Sequence, residues 1–334
     1  LLNEAKQANR LKPQISHSEK KMTKLSRRVF LGSAPAAAAA AGVFGTLFSS
    51  AAEAAINWDD TYNVIVIGAG GAGLSAAVSA KEAGCKKVVV LEKMMFAGGN
   101  TIRAGGGFNV AIKADYEKAG IKDSPDLHAQ QTLAAGDGRG DPVLVHQLTE
   151  KAPESVQWLK DHSVKFEDHI YQIYAGLYKR ARNPIGPRGG AYIKALLEVC
   201  KKEDIPILYN TRVVEIIREH QLSGRVLGVK VEQKGGKTLY LRALNGVVAA
   251  AGGFAANDRL TAIHDPRMGQ LGTTNHPGAT GDVLIDLVDI GAGTRGLDYI
   301  QCIPGGVPGE KHALNLFTHV DRFLFVNLDG KRFI

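Results

Sequence analysis

Residues 63–110 set short apolar runs between glycine-dense turns. The run Val64–Ile67 leads into Gly68-Ala69-Gly70-Gly71-Ala72-Gly73, an alanine-rich stretch follows, and a second run, Val88–Leu91, ends on Glu92. Short apolar runs bounded by turn signals predict buried strands, and the stretch between them predicts a helix. Asp123-Ser124-Pro125 and Asp141-Pro142 each read as an N-cap followed by proline, predicting helices at about 125–135 and 142–162. In the second, Val145, Leu148, Val156 and Leu159 form a core-facing stripe, and Pro153 is expected to kink or split the segment. Segment 175–190 is basic and broken by Pro and Gly, so it reads as a solvated loop, with a helix at about 190–203 after it. The pattern then turns to short β runs at Ile207–Tyr209, Val213–Ile217, Arg225–Val231, Thr238–Leu241 and Val247–Ala250. These predict a β-meander returning to a buried strand. A last helix is expected at 282–291, with Val283, Leu284, Leu287 and Ile290 inward.

Strand, glycine turn, helix, strand, acid is the order of a dinucleotide site. Gly68 permits the tight turn, Gly70 lets backbone N–H groups approach a pyrophosphate, and Gly73 lets helix and strand pack closely. The helix N-terminus offers its positive dipole end to the phosphates. Glu92, ending the second strand, suits ribose hydroxyls and would repel a 2′-phosphate, which argues against NADP. NAD and FAD folds share this fingerprint. A second glycine-dense loop, Gly98-Gly99-Asn100-Thr101 then Ala104-Gly105-Gly106-Gly107, suggests backbone laid against a long, flat ligand.

From these residues the chain resembles the flavoprotein subunits of fumarate reductase and succinate dehydrogenase, especially the soluble exported fumarate reductases. The matching blocks are Glu92-Lys93, GGNT, AGGGFN, VVAAAGGFAAND at 247–258, TNHPGATGD at 274–282, YIQ-x-x-P at 299–304 and VN-x-DGKRF at 326–333. The resemblance implies an α/β fold: a Rossmann-like FAD-binding domain with a β-meander over 58–296, then the start of an α+β capping domain over 297–334. It implies FAD, with cofactor contacts at Gly68, Gly70, Gly71, Ala72, Gly73, Glu92, Lys93, Gly99, Asn100, Thr101, Ala104, Gly105, Gly106, Val213, Ala251, Gly252, Gly253, Thr280, Gly281 and Asp282. It also implies hydride transfer between the flavin and a carbon of a carboxylate-activated double bond. The expected partners are a small unsaturated organic acid and a separate cytochrome or other electron donor. Running the reaction the other way, as related ketosteroid dehydrogenases do, and a catalytically incomplete FAD-binding fragment are the alternatives left open.

Three departures from the family pattern bear on that reading. Where covalent members carry the FAD-linking histidine this chain has Asn100, so FAD is expected to be non-covalent. Ile303 replaces the substrate histidine of a His-Pro-Thr run, removing a carboxylate anchor of about 2–4 kcal/mol and favouring a monocarboxylate or bulkier unsaturated compound. The family's protonating arginine falls beyond residue 334, its Thr-Glu-x-x-Arg block has no counterpart in His312–Arg322, and the chain reads as a piece of a longer protein. His276, in the family loop beside the flavin, is a candidate for the cofactor side or substrate pocket; His312 and His319 read as surface histidines.

Charge and cysteines narrow the field further. The formal net charge is +8, but residues 1–57 hold eight Lys/Arg against three Asp/Glu, and no basic stripe with interleaved aromatics follows, so nucleic-acid binding is not expected. Cys85, Cys200 and Cys302 form no CxxC and no CxxCH, so no haem is expected in this chain, and all three read as buried thiols. No His/Cys/acid cluster has metal-ligand spacing, so no metal is expected. Ser26-Arg27-Arg28-Val29-Phe30-Leu31 precedes an alanine-rich run at 34–48 and the small-residue site Ala52-Glu53-Ala54, a twin-arginine export signal over 22–54. The run contains Pro35 and is weakly apolar for a permanent span, so periplasmic export without a stable membrane span is expected. Residues 1–21, ahead of Met22, read as an upstream leader.

Overall fold

The computed structural model describes residues 56–173, 176–268, 271–302, 324 and 326–332. The signal segment, Ile303, His312, His319 and Arg322 lie outside the described residues. Strand β1 (Asp60–Ile67), helix α1 (Gly71–Glu82) and β2 (Val88–Leu91) form the predicted crossover unit. Then come β3 (Phe108–Asn109), α2 (Lys113–Ala119), α3 (Pro125–Ala135), α4 (Pro142–Asp161), β4 (Tyr171–Gln172), β5 (Lys179–Arg182) and α5 (Gly189–Lys202). The second half holds β6 (Ile207–Leu208), β7 (Thr211–His220), β8 (Ser223–Gln233), β9 (Thr238–Ala249), α6 (Asp258–His264) and α7 (Asp282–Asp289).

The main sheet has the order β6-β2-β1-β9-β8-β7. Its first four strands run parallel, with Val64 opposite Val88 and Ile65 opposite Val247, while β9-β8-β7 is an antiparallel meander. The two β runs expected at 238–241 and 247–250 are one strand. β9 closes the meander with its first half and pairs with β1 from Leu241 to Ala249, delivering the chain to the glycine turn. Alternation splits the core by face. Ile65, Ile67, Val89 and Leu91 pack with the meander's Val213, Val229, Val231 and Leu241, whereas Val66, Val88 and Val90 pack under α1 and α5 through Leu74, Val78, Ile193 and Leu196. Being covered on both faces, the parallel strands read as continuous apolar runs rather than alternating ones.

The predicted caps form. Ser124 Oγ accepts the Leu127 N–H at 3.0 Å, Asp141 Oδ1 accepts that of Val143 at 3.0 Å, and a proline stands at the start of each helix. Helix α4 runs through Pro153 as one element rather than splitting into two. Its buried face is Thr149, Ala152, Val156 and Leu159, leaving Leu148 63% exposed. A proline removes one helical hydrogen bond, and burial of the turns on either side outweighs that loss. The predicted stripe was one residue out of phase at its N-terminal end.

Segment 175–190 is not a solvated loop. It contains β5, the centre of a three-stranded sheet β3-β5-β4, with Arg180 and Arg182 buried at 4% and 5% exposure. Arg180 makes a bidentate pair with Asp123 (3.0 and 2.9 Å) and a third bond to Gln131 (2.7 Å); Arg182 Nη1 meets Asp115 at 2.7 Å. Each buried charge carries its own carboxylate, the condition for burying one at all. Of the cysteines, Cys200 alone is fully buried, its thiol pushed up to about 11 by burial; Cys85 is intermediate and Cys302 exposed.

Candidate functional site

The site is built on the glycine turn. Gly68 has φ +102°, and a Cβ there would lie 2.5 Å from the Ala250 carbonyl oxygen, so β1 and β9 can part only around a glycine. A Cβ on Gly73 would stand 1.8 Å from the Gly68 oxygen, which fixes glycine where α1 crosses its own strand. Gly70 differs. Its nearest neighbours would be 3.9 and 4.0 Å from a Cβ, and Gly252 and Gly253 would meet nothing within 4 Å. These three glycines keep a floor open rather than permit packing. The first helical bond of α1 runs from the Leu74 N–H to Gly70 (3.0 Å), so the Ala72 and Gly73 amides precede it without helical acceptors.

Glu92 is 8% exposed; its Oε2 accepts the Ala69 N–H at 2.8 Å and its Oε1 the Met94 N–H at 2.9 Å. Two backbone donors hold the carboxylate in place, and each oxygen keeps lone-pair capacity for a ligand hydroxyl. Gly68, Lys93, Val213, Ala251, Gly252 and Asp282 line one cleft together with Val283, so segments far apart in sequence meet there as expected.

A network the sequence did not reveal spans that cleft. Lys93 Nζ donates to Thr280 Oγ1 at 2.5 Å and to Asp282 Oδ2 at 3.0 Å, Thr280 donates to Asp282 Oδ1 at 2.8 Å, and Arg212 reaches Asp282 at 3.3 Å. Burial pushes the Asp282 carboxyl up, but the hydrogen bonds from Thr280 and Lys93 and the charges of Lys93 and Arg212 outweigh it, so the net direction is down. Gly281, at φ +74°, stands just before α7, and a Cβ there would come within 2.8 Å of Phe254.

The second glycine loop is tied to the first. The Gly71 N–H donates to Thr101 Oγ1 (3.0 Å) and the Gly98 N–H to the Ala69 carbonyl (2.8 Å). Its far end, Ala104-Gly105-Gly106, rests on the start of α5: the Gly189 N–H meets the Ala104 carbonyl at 3.3 Å, and a Cβ on Gly189 would lie 1.8 Å from the Thr101 oxygen. Gly189 is a requirement that sequence reasoning missed. Its signal was the Gly189-Gly190 pair opening a helix, where side chains are normally preferred. Gly99 has open space around it, its nearest neighbour 4.0 Å from a Cβ, and Gly105 would meet nothing within 4 Å.

Asn100 does not present a free side chain. Its Oδ1 accepts the His276 N–H at 2.6 Å and its Nδ2 donates to Asn275 Oδ1 at 2.8 Å, while Arg103 donates to the Thr274 carbonyl at 3.0 Å. His276 is 5% exposed, its ring edge-on to Phe96 at 5.6 Å, and its Nδ1 accepts the Gly278 N–H at 3.1 Å. Burial and the Arg103 charge, with a smaller push from Lys93, hold its basicity below the ordinary histidine value against an opposing pull from Glu92. Elsewhere, Asp126, His146 and Glu150 place ligand-capable atoms within 4.8 Å of one another on α3 and α4, a grouping that sequence spacing did not suggest.

A parallel sheet whose first strand turns through glycines into a helix, with a buried acid ending the second strand, defines a dinucleotide-binding α/β protein. The open glycine floor, the anchored acid and the second loop suit an extended dinucleotide, and the chain belongs to the FAD binding domain family, which matches residues 63–334. FAD is thus its cofactor. The chain is 34% identical over 275 residues to the NADH:fumarate oxidoreductase of Klebsiella pneumoniae, covering 82% of this chain and 29% of that protein. It is 31% identical over 328 residues to the acrylate reductase flavoprotein subunit of Shewanella woodyi, covering 93% and 63%. The chain therefore spans less than two thirds of either relative. Among solved structures, an open flavocytochrome c3 fumarate reductase superposes with TM-score 0.69 at 29% identity, over 75% of this chain and 44% of that one. A 3-ketosteroid-Δ4-(5α)-dehydrogenase from Rhodococcus jostii gives 0.65 at 25% identity, over 72% and 56%.

Proposed function

We propose that this chain is the FAD-binding part of a reductase that adds hydrogen across the C=C bond of a small unsaturated organic acid. The observation that carries this reading is the shared architecture: the 247–258 and 274–282 blocks fold around the same cleft as the glycine turn, and relatives matching over most of this chain are named for fumarate or acrylate reduction. Bound FAD supplies the hydride-transferring centre.

The chain's own residues bind and orient it. The Ala72 and Gly73 amides at the N-terminus of α1 receive the pyrophosphate over Gly70 and Gly71, and Glu92 takes ribose hydroxyls. Ala251, Gly252 and Gly253 lie along the dinucleotide, and Val213 meets its adenine end. Lys93, Thr280, Gly281 and Asp282 hold the opposite wall, and the loop from Gly99 through Asn100 and Thr101 to Ala104, Gly105 and Gly106 lies under the flavin. With Asn100 bound to Asn275 and His276, FAD is held without a covalent bond. Ile303 gives the substrate pocket an aliphatic wall, which favours a monocarboxylate over fumarate.

The rest of the reading concerns organisation. Residues 58–296 form the FAD-binding domain and 297–334 begin a capping domain. The twin-arginine segment at 22–54 directs export to the periplasm, where a separate cytochrome or other donor supplies electrons. No helix among the described residues is long and apolar enough to cross a membrane.

The dehydrogenase direction is the second reading, favoured by the likeness to the ketosteroid dehydrogenase. One experiment tests both. The protein is purified from its complete reading frame, and its visible absorption is recorded before and after heat precipitation. Flavin bands that move to the supernatant, followed by oxidation of reduced viologen with acrylate, support the proposal. Turnover only with an oxidising acceptor and a saturated substrate selects the dehydrogenase, and a folded protein that stays colourless with added FAD refutes both.

A further inference from the structure

Helices α3 and α4 are joined by the short segment 136–141 and pack against each other. A short connection makes such neighbours antiparallel, so the start of α3 lies beside the middle of α4. There Asp126, in the first turn of α3, meets His146 and Glu150 of α4, with one ligand-capable atom from each within 4.8 Å of the other two. His146 and Glu150 are four residues apart and share one face of α4, with His146 Nδ1 standing 3.7 Å from Glu150 Oε1. None of the three residues lines the FAD cleft.

The charges in this group are unbalanced. Two carboxylates approach each other, and among the described residues neither has a lysine or arginine in an ion pair; Glu150 has only His146. Lys151, next along the helix, acts on Glu150 from a distance and is bonded to Glu154 at 2.8 Å. A neutral imidazole adds a lone pair and no positive charge. Burial does not drive the side chains together, since those of His146 and Glu150 are 42% and 59% exposed. The packing of two helix backbones gathers them, and like charges at that separation repel until a cation joins them.

Coordination chemistry narrows the choice of cation. Zn2+ binds imidazole nitrogen and carboxylate oxygen at about 2.1 Å in a tetrahedron, which sets its ligand atoms about 3.4 Å apart. The 3.7 Å between Nδ1 and Oε1 is already close to that spacing, and exposed side chains can close the rest by changing rotamer. Ca2+ and Mg2+ take shells of oxygen, so the imidazole selects against them.

We propose that Asp126, His146 and Glu150 form a Zn2+ site that clips α3 to α4, with water as the fourth ligand. The pair on α4 supplies two ligands from one helix face, and Asp126 supplies the third across the helix–helix contact. The site stands apart from the FAD cleft and does not depend on the function proposed for it.

The test uses the full purified chain, freed of metal by a chelator, with Zn2+ alone as the probe and Ca2+ for comparison. Isothermal titration reads stoichiometry and affinity, and amide hydrogen exchange reads α3 and α4 separately. The tightest class of sites is expected to hold one Zn2+ per chain, with no matching response to Ca2+. Affinity should fall at least tenfold in Asp126→Ala, His146→Ala and Glu150→Ala, because losing even an outer partner of a metal ligand costs about 10–100-fold. His146→Cys, which keeps a zinc ligand, should retain binding that His146→Ala loses. Zn2+ should raise the Tm of the wild type and slow exchange in both helices. Undiminished affinity in Asp126→Ala, or slowed exchange confined to α4, would mean a contact local to one helix and would overturn the clip. Binding that does not saturate, or that is unchanged in all three alanine variants with unaltered circular dichroism, would mean adventitious zinc and would overturn the site itself.

Discussion

Replacing Asp123 by asparagine should unfold this protein more readily than any surface change of similar size. Asp123 has a side-chain exposure of 0% and Arg180 one of 5%, so neither group can turn to water when its partner is lost. The carboxylate accepts two guanidinium bonds, at 3.0 and 2.9 Å, and also the Ser124 N–H at 2.9 Å at the entrance to α3. Breaking a buried pair by removing one charge costs about 3–5 kcal/mol, because the other charge stays behind uncompensated. Asparagine keeps one acceptor, and Gln131 still binds Arg180 at 2.7 Å, which places the expected loss near the lower end, at about 3 kcal/mol. That is a large fraction of the 5–15 kcal/mol or so that holds a typical domain together. Urea denaturation of the purified chain reads it as a lower midpoint at unchanged slope. The double variant Asp123→Asn/Arg180→Met should recover most of the loss, since it removes the stranded charge. A single-variant loss below about 1 kcal/mol, or a double variant no better than the single, would refute the claim that this pair is a sealed buried unit.

The two kinds of glycine in the turn should separate under alanine substitution. Gly73→Ala, whose methyl would sit 1.8 Å from the Gly68 oxygen, should lower Tm sharply or prevent soluble expression. Gly70→Ala, with nothing nearer than 3.9 Å, should leave the Tm of the FAD-free protein almost unchanged while weakening FAD binding in a fluorescence titration. Stability should also fall as pH drops below about 6.5. His128 and His276 are both held below the ordinary histidine value, first by burial, so the unfolded chain takes up protons that the folded chain refuses. A Tm series from pH 8 to 5 should show that decline, His128→Leu should flatten it, and a Tm that rises through this range would contradict it.

How much of this was legible in the sequence follows from how local each feature is. The β1-α1-β2 unit and Glu92 could be read because their determinants lie within 30 residues of one another: apolar runs, a glycine at each close approach, and an acid at the strand end. The helix caps at Ser124 and Asp141 were equally visible, since a cap is satisfied by amides two or three residues ahead. The β5 strand was hidden. Two arginines in a Pro/Gly-rich stretch look solvated until Asp115, Asp123 and Gln131 arrive from α2, α3 and the turn between them to neutralise them.

The same distance rule divides the site. The amino-acid sequence alone determined the dinucleotide fingerprint, the family likeness and the glycines at Gly68, Gly70 and Gly73, because the strand–turn–helix order that calls for them lies in one stretch, although the carbonyl that crowds Gly68 belongs to distant Ala250. Only the tertiary structure decided that Lys93 meets Thr280 and Asp282, that Asn100 is bound to the loop carrying His276, and that Gly189 must lack a side chain. Those partners lie between 88 and 189 positions apart in the chain. No local propensity encodes a hydrogen bond across such a separation; it exists only once the two faces of the sheet have been buried and the loops at its edge brought together.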